Sequence, residues 1–257
     1  MAELVLRHVS KRFGGLLAVD NLDLEVPEGR ILSLIGPNGA GKTTVFNMIT
    51  GVYPPTDGTI AYQGKKLNNL SSHRIISQGI ARTFQNIRLF KSMTVLENVQ
   101  VGMHCRTRSG AFRALFKSSF AILEEKEIIE KALEILDFFG LADYQNEYAS
   151  NLPYGDQRRL EIARAVATRP KTLLLDEPAA GMNPSETAEL MDLIQKLRDT
   201  GLTIFLVEHD MRLVMGISEM VIVLDHGQKI AEGEPKEIQQ NEKVIEAYLG
   251  TKAKTKT

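Results

Sequence analysis

Residues 31–51 read ILSLIGPNGAGKTTVFNMITG, and the reading of this stretch decides the fold. Its opening, Ile31 to Ile35, is apolar and β-favouring; its middle is glycine-rich; its end has helical spacing and stops at Gly51, a residue suited to the position after a helix. The order is strand, loop, helix. Within it Gly36, Gly41, Lys42 and Thr43 satisfy the G-x-x-x-x-G-K-[ST] pattern, with Pro37, Asn38, Gly39 and Ala40 between them. Such a loop curls successive backbone N–H groups around an anion, the helix N-terminus adds partial positive charge, and Lys42 adds a full one. A di- or triphosphate fits that nest. Thr43 can offer its hydroxyl to a magnesium ion bridging phosphate oxygens, and Thr44 adds a further phosphate contact. The plainer alternative, a glycine turn that only packs a helix on a strand, does not require Lys-Thr in this register.

The chain has 257 residues, 43% of them hydrophobic, enough to bury one large core with an inserted subdomain. Its 31 basic and 32 acidic side chains leave a net charge of −1, without the electrostatic footprint of a nucleic-acid-binding domain. Cys105 is alone, so neither a disulfide framework nor a cysteine-based zinc site is expected, which suits a reducing compartment. The N-terminal MAELVLRHVSKRF alternates polar and apolar residues, unlike a secretory signal, and no run is long enough to span a bilayer. Work at a membrane would need another chain to do the spanning.

Leu4, Leu6 and Val9, then Leu22, Leu24 and Val26, alternate with polar residues on either side of Gly14-Gly15, which predicts two half-buried antiparallel strands. Phe13 closes the first, either as ordinary core or as a platform for a nucleotide base. Pro54-Pro55 and Asp57-Gly58 mark turns before TIAYQG, a return hairpin, and residues 71–82 have helical spacing. Gln85 follows on a loop. From about Val99 to Arg169 helical periodicity replaces strand signals, predicting an inserted helical subdomain over roughly residues 90–169. Its stretch 106–117 interleaves Arg106, Arg108, Arg113 and Lys117 with Phe112 and Phe116, either a solvated basic face or a contact with a membrane-embedded partner or anionic lipid.

In KTLLLDEPAAGMNPSE, residues 171–186, Leu173, Leu174 and Leu175 read as a strand buried on both faces that ends in Asp176 and Glu177. Asn183, Pro184 and Glu186 then form a helix start, and the helix is expected to reach about Asp199. TIFLVEH and MVIVLDHG give two more buried strands around a helix through Met211 to Met215, and QKIAEGEP turns back as a hairpin. Residues 251–257 read as a polar tail. The fold class is α/β: a P-loop NTPase with a mostly parallel core sheet, an N-terminal antiparallel β layer and an inserted α-helical subdomain, one domain over residues 1–250.

Open parallel sheets bind ligands beyond the carboxyl ends of their strands, which puts Gly36, Asp176, Glu177 and His209 at one edge. There Asp176 and Thr43 are placed to hold magnesium, directly or through water. Glu177 is placed to orient an attacking water and accept its proton. His209 either bonds the terminal phosphate or is a satisfied structural group, and Gln85 has the reach to touch the metal or the water.

The ordered set GPNGAGKTT, TFQN, LPYGDQRRLEIARA, LLLDEP and VEHD, with Phe13 ahead of it, resembles the ATP-binding subunits of ABC transporters over nearly the whole chain. The resemblance implies two such subunits sandwiching two ATP molecules with Mg2+. Each ATP would lie between one subunit's phosphate loop and the other's signature segment, here Leu152 to Gln157, with Tyr154, Gly155 and Asp156 against the nucleotide. It further implies that Phe13 stacks on adenine, that Asp176 is the metal-side acid and Glu177 the catalytic carboxylate, that His209 is the switch histidine, and that Gln85 senses the membrane subunit.

More narrowly, RTFQNIRLF, NLPYGDQRRLEIARA, LLLDEPAAGMNP and VIEAYLG resemble the Liv-type ATPase subunits of branched-chain amino-acid importers. That kinship implies integral membrane permease partners, a periplasmic or extracellular binding protein acting indirectly, a peripheral place on the cytoplasmic face of the membrane, and no nucleic acid. The alternative is a soluble ABC-type ATPase acting on nucleic acid or the ribosome; those carry two cassettes or a long coiled-coil insertion, and this chain has neither. A P-loop kinase has no use for LPYGDQRR. Two positions depart from the family pattern. Pro153 replaces a serine whose hydroxyl contacts the partner's ATP, and it offers neither hydroxyl nor N–H; Asn183 stands in place of an aspartate. A second, non-identical ATPase subunit and two unequal ATP sites are the expectation from Pro153.

Overall fold

The first strands, β1 (Ala2–Phe13) and β2 (Leu16–Pro27), pair antiparallel around the Gly14-Gly15 turn. The three-residue step from Leu6 to Val9 is a bulge: the register shifts between them, His8 takes φ 50, and both apolar side chains stay fully buried. With β4 (Asp57–Tyr62) and β5 (Lys65–Lys66) they form a four-stranded antiparallel sheet in the order β2-β1-β4-β5. This computed structural model describes residues 2–104 and 119–249; Cys105, the basic stretch at 106–117 and the polar tail at 251–257 lie outside them.

The core sheet runs β10-β9-β3-β8-β7-β6, made of β3 (Ile31–Ile35), β6 (Ile80–Arg82), β7 (Thr172–Asp176), β8 (Thr203–Val207), β9 (Met220–Asp225) and β10 (Gln228–Gly233). Only β10 pairs antiparallel, so the sheet is mostly parallel as its unbroken apolar runs require. Alternate residues of one strand serve different layers: Leu173 and Leu175 join the core under the helices, whereas Leu174 joins the core between the two sheets. Ile204 and Leu206 divide from Phe205 and Val207 in the same way.

The helix α1 (Lys42–Ile49) fills the space between the sheets, with Phe46 against Phe205 at 5.0 Å. The opposite face of the core sheet carries α3 (Val95–His104), α4 (Ser119–Phe138), α5 (Tyr154–Ala167) and α6 (Pro184–Asp199). The first three fall within the stretch read as a helical insertion. Asn183 caps α6 as expected, its Oδ1 accepting from the Ser185 and Glu186 N–H groups at 2.9 and 3.0 Å while Glu186 Oε2 accepts from the Asn183 N–H at 2.8 Å. The C-terminal elements α7 (Met211–Ile217), α8 (Pro235–Gln240) and α9 (Glu242–Leu249) close a third core cluster with β9.

One element differs from the sequence reading. Residues 71–82 are not one helix: α2 (Ser72–Gln78) stops at Gly79, whose φ of 108 ends it, and Ile80–Arg82 is the edge strand β6 beside β7. Three residues are too few to display a period of two, and only the ladder to Thr172–Leu174 settles their conformation.

Candidate active site

The phosphate loop lies between Ile35, the last residue of β3, and Lys42, the first of α1. Two of its glycines are demanded by close approach. A Cβ on Gly36 would stand 2.1 Å from the Leu224 carbonyl oxygen, and one on Gly41 2.6 Å from that of Ala18, so the loop is clamped between β9 and β2. Gly41 is the N-cap of α1 and provides no side-chain cap, which leaves the first-turn N–H groups to a ligand. Lys42 Nζ donates to the carbonyls of Gly36 at 2.6 Å and Pro37 at 3.0 Å, so the lysine lies across its own loop. Burial lowers its pKa, opposed by the negative charges of Glu177 and Asp176, which places both carboxylates within electrostatic range of the loop. Thr43 is exposed and Thr44 half-buried.

Asp176 is the last residue of β7 and nearly buried; Glu177 follows at φ 47, with its N–H on the Val207 carbonyl at 2.8 Å. This left-handed turn just past the strand end aims the two neighbouring acids differently. Glu177 Oε2 accepts from Gln85 Nε2 at 2.9 Å and lies 3.6 Å from His209 Nδ1. The sequence-predicted trio Gln85, Glu177 and His209 is thus brought together, with His209 more exposed than Glu177. Glu208, not singled out in the sequence, organises the segment: fully buried, it accepts from the N–H groups of Ala179, His209 and Asp210 at 2.9, 2.7 and 3.1 Å.

Phe13 is 43% exposed at the tip of the β1–β2 hairpin, with Tyr53 edge-on at 5.1 Å and the Lys11 ammonium 5.0 Å from its ring centre. Of its two readings, ordinary core is excluded; an open aromatic face suits a base platform. At the other end of the chain, Tyr248 of α9 comes up to the Gly36 backbone, an approach no local pattern foretold.

Two arginines absent from the sequence reading brace the site, and one of them holds the loop that carries Gln85. Arg158, fully buried on α5, donates to the carbonyls of Phe84 and Gln85, both at 2.7 Å, and pairs with Glu161 at 2.8 Å. Arg82 on β6 donates to Asp176 Oδ2 at 2.7 Å. The only local signal for either is a charge amid apolar residues, in IARTF and in QRRLEIA.

The signature segment opens α5 with Pro153 as N-cap. Tyr154 gives its hydroxyl to the Ala180 carbonyl at 2.8 Å, Asp156 is buried against Arg159, and Gly155 lies close under the Glu186 side chain. Leu152 sits in the core beneath the helices, on the opposite face of the core sheet from α1.

The arrangement is a nucleotide cradle with carboxylates beside it, and its motifs have relatives. The family profile described as "ABC transporter" matches residues 19–180. The chain belongs to the ABC transporter family. A second profile, "Branched-chain amino acid ATP-binding cassette transporter", matches residues 228–254 of this ABC protein. The chain is 51% identical over 248 residues to the high-affinity branched-chain amino acid transport ATP-binding protein LivG of Salmonella typhimurium, covering 96% of this chain and 97% of that protein. Among solved structures, an ATP-binding cassette of an ABC transporter in its ADP conformation superposes with a TM-score of 0.86 at 34% identity, covering 97% of this chain and 99% of that one. A dimeric post-hydrolysis cassette bound to ADP and Pi superposes with a TM-score of 0.76 at 29% identity, over 90% of this chain and 98% of the other.

Proposed function

We propose that this chain is the ATP-hydrolysing subunit of a branched-chain amino acid importer. The observation that carries the reading is the match to LivG, 51% identical over 97% of that relative's length. The phosphate loop, Gly36 to Thr44, binds the triphosphate; Lys42 exchanges the carbonyls of Gly36 and Pro37 for phosphate oxygens; and Phe13 stacks on adenine. Thr43, Gln85 and Asp176 carry the oxygen donors that would hold Mg2+ together with the nucleotide's phosphates, and the ion would there neutralise phosphate charge. Glu177 holds the attacking water and takes its proton, with Gln85 and His209 fixing its position from two sides.

Tyr154, Gly155 and Asp156 belong to the segment that would complete the ATP site of a second ATPase subunit, which Pro153 suggests is not identical. Closure needs ATP to bind the closed dimer more tightly than the open one, and a nucleotide shared by two chains supplies that difference. A cleft of about 390 Å³ lined by Arg82, Phe84, Arg88, Phe90, Glu161 and Arg164 lies beside the Gln85 loop and receives an integral membrane permease. Among the described residues no helix is long and apolar enough to cross a membrane; on the kinship with transporter ATP-binding proteins, the chain sits peripherally on the cytoplasmic side of a permease that does the spanning.

The test is uptake of radiolabelled leucine, isoleucine and valine by the host with this gene deleted. Uptake should fall and be restored by the wild-type chain but not by Glu177→Gln. Unchanged uptake of all three would sink the cargo assignment.

A further inference from the structure

Asp176 and Arg82 form an ion pair in which both side chains are almost wholly buried, 5% and 6% exposed. The guanidinium does more than pair. Its Nη1 donates to Asn47 Oδ1 at 2.8 Å and Thr50 Oγ1 at 3.0 Å, both on the helix that follows the phosphate loop or its C-cap, while Nη2 holds Asp176 Oδ2 at 2.7 Å. The group also lies 5.5 Å from the centre of the Phe46 ring and 5.1 Å from that of Phe84. It is anchored from α1, β7 and the Gln85 loop together, and Lys cannot reproduce such a planar fork.

Part of the charge of the site is compensated within the chain itself. Asp176 is neutralised by Arg82, Lys42 feels the fields of Glu177 and Asp176, and Glu208 is satisfied by three backbone N–H groups. Among the described residues Arg82 is the one cation in contact with Asp176, and no cluster of three acidic, His or Cys side chains stands ready for a metal. A divalent ion approaching without nucleotide meets a carboxylate already engaged by a fixed positive charge. A nucleotide changes this balance by drawing Lys42 onto its phosphates and bringing negative charge of its own.

Resting on the nucleotide-site reading above, we propose that Arg82 is the resident counter-cation of Asp176, a positioning residue that makes divalent-metal binding contingent on nucleotide. Its guanidinium supplies to Asp176 a positive charge of the kind a metal would also supply. Through Phe84 it ties that pairing to the loop carrying Gln85.

The test uses the purified full chain and Mn2+ as a paramagnetic probe, titrated by EPR without nucleotide. Wild type should leave Mn2+ free. Arg82→Gln removes the charge and should bind Mn2+ tighter by about fivefold or more, the effect of one unit charge at ~4 Å even when screened as in water. Its melting temperature should also gain more from Mg2+ alone than that of wild type. Arg82→Lys keeps the charge but loses the planar fork, and should shift affinity the same way by less than Arg82→Gln. Asn47→Ala keeps the guanidinium but removes one anchor, and should shift affinity the same way by less; it decides the matter if Arg82→Gln fails to fold. Tight Mn2+ binding by wild type without nucleotide, or no shift in the variants, overturns the proposal. Binding of a fluorescent ATP analogue in EDTA separates the two readings: a wild type that binds none would sink the proposed function itself.

Discussion

Gln85 and Glu177 are hydrogen-bonded, Nε2 to Oε2 at 2.9 Å, although 92 residues separate them in the chain. The bond joins a loop gripped by Arg158 to the carboxylate placed one residue past β7. Any movement of α5 that carries the Gln85 backbone therefore reaches Glu177 through a single side chain.

Glu177→Gln should lower ATP turnover by about 10²–10⁴-fold, the usual contribution of a positioned general base. ATP-driven dimers should persist. Phosphate release and size-exclusion chromatography with ATP and Mg2+ check both, and retained hydrolysis would refute the role given to the carboxylate.

Phe13→Ala should weaken ATP binding by an amount near the about 1–3 kcal/mol that base stacking contributes, and Phe13→Tyr should restore it. Titration with a fluorescent ATP analogue reads the difference. Since Phe13 is 43% exposed, thermal stability should scarcely change in either variant.

Asn183→Ala removes the cap of α6, with its two accepted N–H bonds, and should cost about 1 kcal/mol. For a chain of this size the melting temperature should fall by about 2–4 °C. Asn183→Asp keeps the cap and should melt as wild type does. A change in ATP cooperativity in that variant alone would assign the position a part in communication between the two ATP sites.

Pro153→Ser should raise turnover at one of the two ATP sites of the reconstituted transporter, because a hydroxyl and an N–H return to an N-cap that now has no side-chain bond. Identical ATPase kinetics in the two proteins would remove the case for unequal sites.

Burial holds the Glu161 carboxyl above its ordinary value of 4.5, against the opposing pull of the Arg88 N–H and Arg158. A raised folded-state pKa means the native protein binds this proton more readily than the unfolded chain. The stability it contributes is therefore full below 4.5 and fades as pH rises through the folded value. Glu161→Gln has nothing to titrate at this position. Relative to wild type, its urea midpoint should improve as pH rises from 4.5 toward neutrality; a difference independent of pH would contradict the assignment.

Much of the site was legible because phosphate chemistry leaves local marks. A loop that wraps an anion must be glycine-rich, and a strand buried on both faces does not end in two acids such as Asp176 and Glu177 without cause. The helix start at Asn183 was legible for the same reason, as a cap is made by residues three positions apart. Arg82, Arg158 and Glu208 were not. Their partners lie in other elements, Asp176 for the first, the Phe84 and Gln85 carbonyls for the second and the Ala179 N–H for the third. Such bonds have no sequence period. The edge strand Ile80–Arg82 was missed because its conformation is set by its neighbour.

The sequence by itself determined that this chain wraps a phosphate, at Gly36 to Thr44, and that two carboxylates stand at the end of a buried strand, because both depend on backbone conformation and burial that near neighbours encode. Only the tertiary structure decided what those carboxylates meet. Asp176 faces the Arg82 guanidinium and Glu177 faces Gln85 because β6 lies beside β7 and α5 grips the loop between them. Ion pairs and hydrogen bonds are fixed by distance in space, and it is the packing of the layers, not spacing along the chain, that sets that distance.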